Sequence, residues 1–182
     1  MASDEALYRR IVAGDEAALR TLIDRHREAL FGFLYRMTND RAIAEDLLQE
    51  TFMRLVTHRG KSPDRFRAWL YTIAANLARD HFRSAHVRHT STDALDGLDL
   101  REASIAEESL LRNAERERVA RALQELPPEQ REVIILRFYH ELRLDEIALI
   151  SDVPLGTVKS RLFYALKRLK ALLVIAESET QR

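Results

Sequence analysis

The sequence predicts an all-α fold of two small helical domains joined by an acidic, flexible linker. Only five glycines and four prolines occur in 182 residues, and apolar residues recur at i, i+3 and i+4 along most of the chain, which is the helical period. The long stretch that lacks this period is acidic and rich in turn residues. The length accommodates two small domains, which we place at residues 1–90 and 112–182, with the linker at residues 91–111.

The formal net charge is zero, but the charged residues are sorted along the chain. Residues 1–52 carry a net charge of −3, residues 53–90 one of +6 and residues 91–111 one of −5, as expected when separate segments meet separate partners. Because the chain has no cysteine, it has no disulfide, thiol nucleophile or cysteine-based metal site. No apolar run approaches the roughly 18 residues that span a bilayer, and the N-terminus has no hydrophobic signal core. We therefore expect a cytoplasmic protein without membrane insertion.

Three helices are predicted in the first third of the chain. Residues 6–12 form a short helix that ends at Gly14, and Asp15 caps the second helix. Asn39 and Asp40 end that helix and begin the third, whose apolar stripe faces the core. The opposite side of the third helix carries two carboxylates and an amide, from Asp46, Gln49 and Glu50. The residues by themselves favour a solvated face, because the helix macrodipole stabilises carboxylates near a helix start.

A fourth helix, over residues 64–83, combines an apolar stripe with a largely basic face. The apolar stripe consists of Phe66, Trp69, Leu70, Ile73 and Leu77. The other face holds cations, an acid, an aromatic ring and an amide, from Arg67, Tyr71, Asn76, Arg79, Asp80 and Arg83. Cations hold a nucleic-acid backbone while a ring or an amide meets a base, which suits single-stranded or distorted nucleic acid. The alternative is a basic surface helix with Trp69 in the core.

Beyond the linker, a helix is predicted at residues 113–126 and, after a break at Pro127 and Pro128, another at residues 129–138. Two further helices at residues 144–173 are joined by a tight turn at residues 153–156, and Thr157 is the predicted cap of the second. This second helix has one apolar stripe and a polar face opposite it, and residues 157–173 hold five Lys or Arg and no acid. The pattern is that of a helix-turn-helix whose second helix enters the groove of DNA. An ordinary helical hairpin with solvated cations is the alternative.

Taken in this order, the residues resemble the sigma-70 family of bacterial RNA polymerase initiation factors, and within it the extracytoplasmic-function group. The resemblance is carried by four segments, AEDLLQETFMRL (44–55), FRAWLYTIAANLARDHFR (66–83), LPPEQREVIILRF (126–138) and VPLGTVKSRL (153–162). Their order, with an acidic linker between the second and the third, makes the resemblance specific. It implies a protein that binds core RNA polymerase and directs promoter-specific initiation, with no cofactor and no catalytic residue of its own.

The resemblance also assigns a role to each surface. It implies that Asp46, Gln49 and Glu50 dock on the clamp helices of the largest polymerase subunit, and that the polymerase β flap and an anti-sigma factor are further partners. It implies that the fourth helix captures the unpaired −10 element of promoter DNA, with Asn76 at an extruded base. The −10 residues are then Arg67, Tyr71, Asn76, Arg79, Asp80 and Arg83. The last helix would read the −35 element as duplex DNA. The −35 residues are Thr157, Lys159, Ser160, Arg161, Phe163, Tyr164, Lys167 and Arg168.

Among the positions that depart from the common pattern of the family, Glu141 and Asp152 stand where many members have glycine. Aspartate tolerates a left-handed backbone conformation better than most residues. We therefore expect the turn at Asp152 to be kept.

Two other classes of function are weighed against this one. A helix-turn-helix regulator that acts without polymerase would bind DNA tightly as the isolated chain, as a dimer on symmetric half-sites. An enzyme is disfavoured, because the chain has no Gly-rich phosphate loop, serine elbow or cysteine nucleophile. Asp80, His81, His86 and His89 lack the spacing of a closed metal-ligand set. We predict neither catalysis nor a metal site.

Overall fold

The structure is a computed structural model that describes residues 2–58, 63–89 and 107–180. All regular structure in these residues is helical, which confirms the all-α prediction. The helices are α1 Asp4–Val12, α2 Glu16–Thr38, α3 Arg41–Thr57, α4 Phe66–His89, α5 Glu107–Gln124, α6 Pro128–Ile134, α7 Leu144–Ser151 and α8 Leu155–Thr180, and a π-helical turn, Ile135–Tyr139, continues α6.

Side-chain caps set the helix boundaries in the N-terminal half as the sequence predicts. An Asp15 carboxylate oxygen accepts a backbone N–H of the first turn of α2 at 3.0 Å, and an Asp40 oxygen does the same for α3 at 3.0 Å. Asn39 ends α2 in a left-handed conformation with φ 55°, and its N–H donates to the Tyr35 carbonyl at 2.7 Å. One polar dipeptide therefore closes one helix and opens the next.

Two predicted boundaries are wrong in the C-terminal half. Helix α5 begins at Glu107, inside the predicted linker, while residues 90–106 of that linker lie outside the described part of the chain. Helix α8 begins at Leu155, so Thr157 is not its cap. The Pro154 carbonyl instead accepts the N–H groups of Thr157 and Val158, at 2.9 and 3.2 Å. Proline suits this place because N–H groups at the start of a helix have no intrahelical acceptor. The N–H that proline lacks therefore costs no helical hydrogen bond.

The two positions that depart from glycine both adopt the left-handed conformation, with φ 54° at Glu141 and φ 52° at Asp152. The turn expected at Asp152 is therefore kept. Asp152 follows α7, and the next N–H, that of Val153, donates to the Ala148 carbonyl at 3.1 Å. A left-handed conformation costs a residue other than glycine roughly 1–2 kcal/mol, and the helices on both sides hold it in place.

One buried core runs through both halves of the chain. In the N-terminal half it includes Leu22, Leu30, Phe33, Leu55, Phe66 and Leu70, and in the C-terminal half Val133, Ile135, Leu136, Leu142, Ile147 and Ile150. A smaller cluster joins α5, α6 and α8 through Leu123, Leu126, Ile134 and Ala165. Helix α4 is the part of the N-terminal half against which α6 and α7 pack. Its small side chains Ala74, Ala75 and Ala78 are fully buried, which allows these two helices to approach closely.

Candidate functional surfaces

The exposed side of α3 carries the acids and the amide predicted from the sequence. Asp46, Gln49 and Glu50 are all exposed, and their spacing places them on one face of the helix. A Glu50 oxygen accepts a hydrogen bond from Arg54 Nε at 2.9 Å, with both side chains about half exposed. An exposed pair of this kind contributes little to stability. Glu50 can therefore exchange Arg54 for a cation on a partner at small cost.

Met53 extends this side of α3 and was not assigned a role from the sequence. It lies seven residues after Asp46, one turn beyond Gln49, and is 54% exposed. Methionine is enriched in protein interfaces, where its flexible side chain adapts to a partner. The sequence did contain a signal for this role, since Met53 is an apolar residue on the otherwise polar side of the helix. We call Asp46, Gln49, Glu50 and Met53 the α3 surface.

The six predicted −10 residues of α4 are not equally accessible. Arg67, Asn76, Asp80 and Arg83 are exposed and Arg79 is half-buried. An Asp80 oxygen accepts from Arg83 Nη2 at 2.9 Å. Tyr71 is only 1% exposed, so its expected place on an open basic face is wrong in this conformation. The physical reason is that a second layer, α6 and α7, packs on this side of α4.

Tyr71 is held by residues from both halves of the chain. Its hydroxyl oxygen forms a hydrogen bond with His140 Nδ1 at 2.9 Å, and the edges of both rings meet the Phe33 ring, with centroids 5.6 and 5.9 Å away. Arg67 Nη2 donates to the His140 carbonyl at 2.6 Å. Burial raises the pKa of Tyr71, and it lowers the pKa of His140 to about 4, with help from the nearby cations Arg36 and Arg67. His140 is therefore neutral at physiological pH.

Arg79 makes a further polar contact between the two halves. Its Nη1 faces both carboxylate oxygens of Glu132 on α6, at 3.2 and 3.4 Å, and its Nη2 donates to the Ile150 carbonyl at 3.1 Å and to Asn76 Oδ1 at 2.6 Å. Glu132 is 1% exposed and also accepts from Ser151 Oγ at 2.6 Å. Burial raises the pKa of Glu132, while Arg79 and Ser151 oppose that rise. A carboxylate this deep is tolerable only with such partners.

The predicted −35 residues lie on the open side of α8. Six of them are exposed, namely Lys159, Ser160, Phe163, Tyr164, Lys167 and Arg168, while Thr157 and Arg161 are half-buried. Phe163 and Tyr164 are 63% and 58% exposed, and their rings meet edge to face at 5.4 Å between centroids. Val158 and Ala165 on the opposite side are fully buried. We call these eight residues the α8 surface.

Among the described residues, no group of three or more His, Asp or Glu side chains is arranged to hold a metal ion. His81 packs edge-on against Phe82 at 5.8 Å, and the side chains of His86 and His89 lie outside the described part of the structure. Within the described ranges, no helix has both the length and the apolar content to cross a membrane.

Comparison with known proteins places both halves in one family. Residues 22–88 match the profile of Sigma-70 region 2, and residues 122–171 match that of Sigma-70, region 4. The chain is 37% identical over 166 residues to the ECF RNA polymerase sigma factor SigL of Mycobacterium tuberculosis, covering 88% of this chain and 92% of that protein. It is 35% identical to the RNA polymerase sigma factor CarQ of Myxococcus xanthus, over 93% and 97% of the two chains. With BldN of Streptomyces coelicolor it shares 32% identity, but spans 64% of that protein's length.

Solved structures give the same answer at the level of the fold. CnrH, in complex with the cytosolic domain of CnrY, aligns with a TM-score of 0.71 and 27% identity over 94% of this chain and 97% of its own. The sigma factor RpoE of Bartonella quintana, in complex with the anti-sigma factor NepR, aligns with a TM-score of 0.68 and 26% identity over 86% of this chain and 96% of its own. The chain belongs to the sigma-70 family of RNA polymerase sigma factors, in its extracytoplasmic-function group.

Proposed function

We propose that this protein is an alternative sigma factor that binds bacterial core RNA polymerase and directs promoter-specific transcription initiation in the cytoplasm. One observation carries the proposal. The chain contains both matched sigma-70 regions, and it exposes an acidic surface on α3 in the first and a basic, aromatic surface on α8 in the second. Acids suit a protein partner with a cationic surface, whereas cations and rings suit DNA.

The α3 surface is the proposed polymerase contact. Asp46 and Glu50 would meet cationic side chains on the clamp helices of the largest subunit, where complementary charge steers association and sets register. Gln49 adds a hydrogen-bonding amide between the two acids. A further contact of the C-terminal half with the β flap belongs to the same proposal. Every residue of the α3 surface is accessible in the structure.

The two DNA surfaces divide the promoter between them. Helix α8 would lie in the major groove of the −35 element, with Lys159, Lys167 and Arg168 at phosphates and Arg161 at a base edge or a phosphate. Helix α4 would bind the unpaired −10 element, with Asn76 at an extruded base, and with Arg67, Tyr71, Arg79, Asp80 and Arg83 around it. The two halves, residues 1–90 and 112–182, act as tethered modules. Neither module then needs to bind tightly by itself.

An anti-sigma factor is a further proposed partner. The solved complexes of CnrH with CnrY and of Bartonella RpoE with NepR support it, because this chain shares their fold at more than 25% identity. A protein of this kind should lower transcription when it is added to the assembled holoenzyme, and should not affect transcription driven by another sigma factor.

Run-off transcription with purified core polymerase and genomic DNA tests the proposed function. A sigma factor gives discrete transcripts that appear only when the chain is added, and it binds promoter DNA weakly without polymerase. A stand-alone regulator gives the reverse result, with tight binding to symmetric sites by the chain alone and no initiation. No chain-dependent transcript from any fragment, with core polymerase active under another sigma factor, would contradict the proposal.

A further inference from the structure

Lysine is almost confined to one helix of this chain. The sequence has 29 Lys and Arg residues, but only four of them are lysines, at positions 61, 159, 167 and 170. The last three lie on α8, and none of the other described helices contains a lysine. The α3 surface and the proposed −10 residues of α4 include none either. A reagent that acts on lysine and spares arginine would therefore change α8 and leave the other two surfaces as they are.

The three lysines of α8 share one side of the helix. Lys167 and Lys170 follow Lys159 by eight and eleven residues, which at 3.6 residues per turn places all three within about 80° of one another. We call these three residues the lysine stripe. Arg161 and Arg168 lie seven residues apart and form a second row, the arginine row, at about 100° or more from each lysine. Amines and guanidiniums are therefore separated around the axis of α8.

The lysine stripe is accessible from solvent. Each of its three side chains is exposed, and residues 157–173 contain no acid. Within the described ranges, no carboxylate forms an ion pair with any of the three amines. Arginines on other helices differ in this respect, since Arg54 pairs with Glu50 and Arg79 with Glu132. The amines are therefore available both to a DNA phosphate and to a reagent in solution.

Lysine and arginine differ in one reaction that matters here. A lysine amine accepts an acetyl group, whereas an arginine guanidinium stays protonated in proteins and does not. With acetyl phosphate as the donor, the neutral Nε attacks the carbonyl carbon, an N–C bond forms, and the bond from that carbon to the phosphate oxygen breaks. The nitrogen loses one proton, which the departing phosphate takes up, and nothing is oxidised or reduced. The product is an uncharged amide that no longer attracts a phosphate.

We propose that Lys159, Lys167 and Lys170 are acetylation sites through which an acyl phosphate weakens the −35 contact of this protein. The inference rests on the proposed function, in which α8 lies in the major groove of duplex DNA. A helix in that groove has a phosphate backbone on each side. The lysine stripe and the arginine row lie on different sides of α8, with Ser160 and Tyr164 between them. Acetylation removes the phosphate contacts of one side and leaves the residues between the two rows unchanged.

The consequence is a factor that keeps its polymerase contact while its DNA contact weakens. Asp46, Gln49, Glu50 and Met53 of the α3 surface have no amine that takes an acetyl group. Acetylated protein therefore occupies core polymerase without engaging the −35 duplex. A cationic surface also raises the local concentration of an anionic donor such as acetyl phosphate, so the surface that is modified attracts its own reagent.

The test compares the free chain before and after treatment with acetyl phosphate, with peptide mass spectrometry to locate the acetyl groups. The probe is a fluorescein-labelled pool of random-sequence duplex DNA of about 20 base pairs, roughly two helical turns, read by anisotropy over a range of salt. We expect acetyl groups on the lysine stripe and about tenfold weaker binding at low salt. The slope of the logarithm of the binding constant against the logarithm of the salt concentration should fall by about 0.9 for each lost phosphate contact, or about 2.7 for three. Co-purification with untreated core polymerase should not change.

The triple variant Lys159→Arg, Lys167→Arg, Lys170→Arg is the matched control. It keeps the positive charge of α8, together with Lys61 and the α-amine, and lacks only the amines under test. Its affinity for the duplex should be the same before and after treatment. A loss as large as that of wild type would place the effect at another amine and overturn the inference. The triple variant Lys159→Gln, Lys167→Gln, Lys170→Gln should show the loss without treatment, with circular dichroism to confirm that helicity is retained.

The inference is overturned if the lysine stripe stays unmodified under conditions that acetylate Lys61. It is also overturned if the acetylated chain binds the duplex with the affinity and salt slope of the untreated chain. Failure of the proposed function is recognised independently, by the absence of run-off transcripts with untreated protein and core polymerase. Equal transcripts from untreated and acetylated protein would remove the acetylation control and leave the sigma-factor function intact.

Discussion

Arg131 on α6 reaches the last turn of α2, where its Nη1 donates to the carbonyl oxygen of Met37 at 2.5 Å. The other guanidinium nitrogens donate to the carbonyls of Leu123, Gln124 and Leu126, at 3.0, 2.6 and 3.2 Å. Helix ends concentrate unpaired carbonyls and partial negative charge, so the cation is held by the C-termini of α2 and α5. Burial lowers the pKa of Arg131 to about 10, which leaves it charged at physiological pH.

Arg131→Lys should destabilise the protein although it keeps the charge. Lysine has three donors around one nitrogen and cannot reproduce the planar arrangement that serves four carbonyls. Because buried acceptors are then left unpaired, we expect the free energy of unfolding in urea to fall by about 2 kcal/mol. Arg137→Lys is the control, since Arg137 is exposed and donates to one carbonyl, that of Leu142. Equal losses in the two variants would contradict this account of Arg131.

Reversing the charges of the α3 surface should prevent binding to core polymerase. In the double variant Asp46→Arg, Glu50→Arg, cations face the cationic partner surface, and like charges in an interface cost several kcal/mol. We expect loss of co-purification with core polymerase and an unchanged helical circular dichroism spectrum. The control Glu115→Arg, Glu117→Arg makes the same change in net charge at exposed positions of α5. The prediction is wrong if the α3 variant still co-purifies, or if the control loses binding as well.

Met53→Ala should weaken polymerase binding without affecting folding. The side chain is already 54% exposed in the free chain, so its truncation leaves no cavity in the core. If the methionine is covered by the partner, its loss should raise the dissociation constant about fivefold, or roughly 1 kcal/mol. Val12→Ala is the matched control, because Val12 is 65% exposed on α1. A titration of core polymerase with labelled protein measures both, and equal constants for Met53→Ala and wild type would remove Met53 from the interface.

Arg161→Ala should weaken binding of the −35 element by the holoenzyme. Arg161 is half-buried at the edge of the α8 surface. If it contacts a base, binding should weaken by about 1–3 kcal/mol and specificity should relax at one position of the element. If it contacts a phosphate, binding should weaken similarly for all sequences, and the slope of the logarithm of the binding constant against the logarithm of the salt concentration should fall by about one. Anisotropy with promoter fragments, repeated over a range of salt, separates the two cases. Unaltered affinity and salt dependence would exclude Arg161 from DNA contact.

Acidification should destabilise the protein through His140. Its pKa is lowered from 6.5 to about 4 in the folded chain, so above pH 6.5 both the folded and the unfolded states are neutral and the contribution of the buried ring is fully present. As the pH falls from 6.5 toward about 4, the unfolded state takes up the proton first and stability is lost. The loss should approach about 3 kcal/mol.

Comparison with His140→Gln isolates this effect. Glutamine does not titrate, and Glu132, whose raised pKa acts in the opposite direction, is present in both proteins. The unfolding free energies of wild type and variant are measured in urea across this pH range. On acidification, wild type should lose stability relative to the variant. A difference that is independent of pH would show that His140 titrates in the folded chain as it does in the unfolded one.

The relation between sequence and structure is clearest on α3 and α8. Each helix buries one stripe that the period predicts, with Leu48 on α3 and Val158 on α8 as examples. The predicted binding residues Asp46 and Phe163 are exposed on the opposite faces. The helix caps Asp15 and Asp40 could also be predicted from the sequence. Capping and periodicity involve residues within a few positions of each other, so a single sequence contains all the information that they need.

Helix α4 shows where that reasoning stops. Its first apolar stripe, with Phe66 and Leu70, was evident, but Tyr71 and the buried Ala75 and Ala78 belong to a second stripe. Alanines in register with a tyrosine were the available signal, although small residues alone do not reveal whether another layer covers them. The partners that bury Tyr71 and Arg79, His140 and Glu132, lie 69 and 53 residues further along the chain.

The sequence by itself determined the helices, most of their ends, the family and the chemistry of three surfaces, because each of these depends on local period and residue type. Only the tertiary structure decided which surface is open. Burial is a property of the partner as much as of the helix, and the pairing of α4 with α6 and α7 depends on contacts between residues far apart in the chain. The α3 and α8 surfaces therefore match the sequence prediction, while the stripe through Tyr71 and Arg79 could be seen to be covered only in three dimensions.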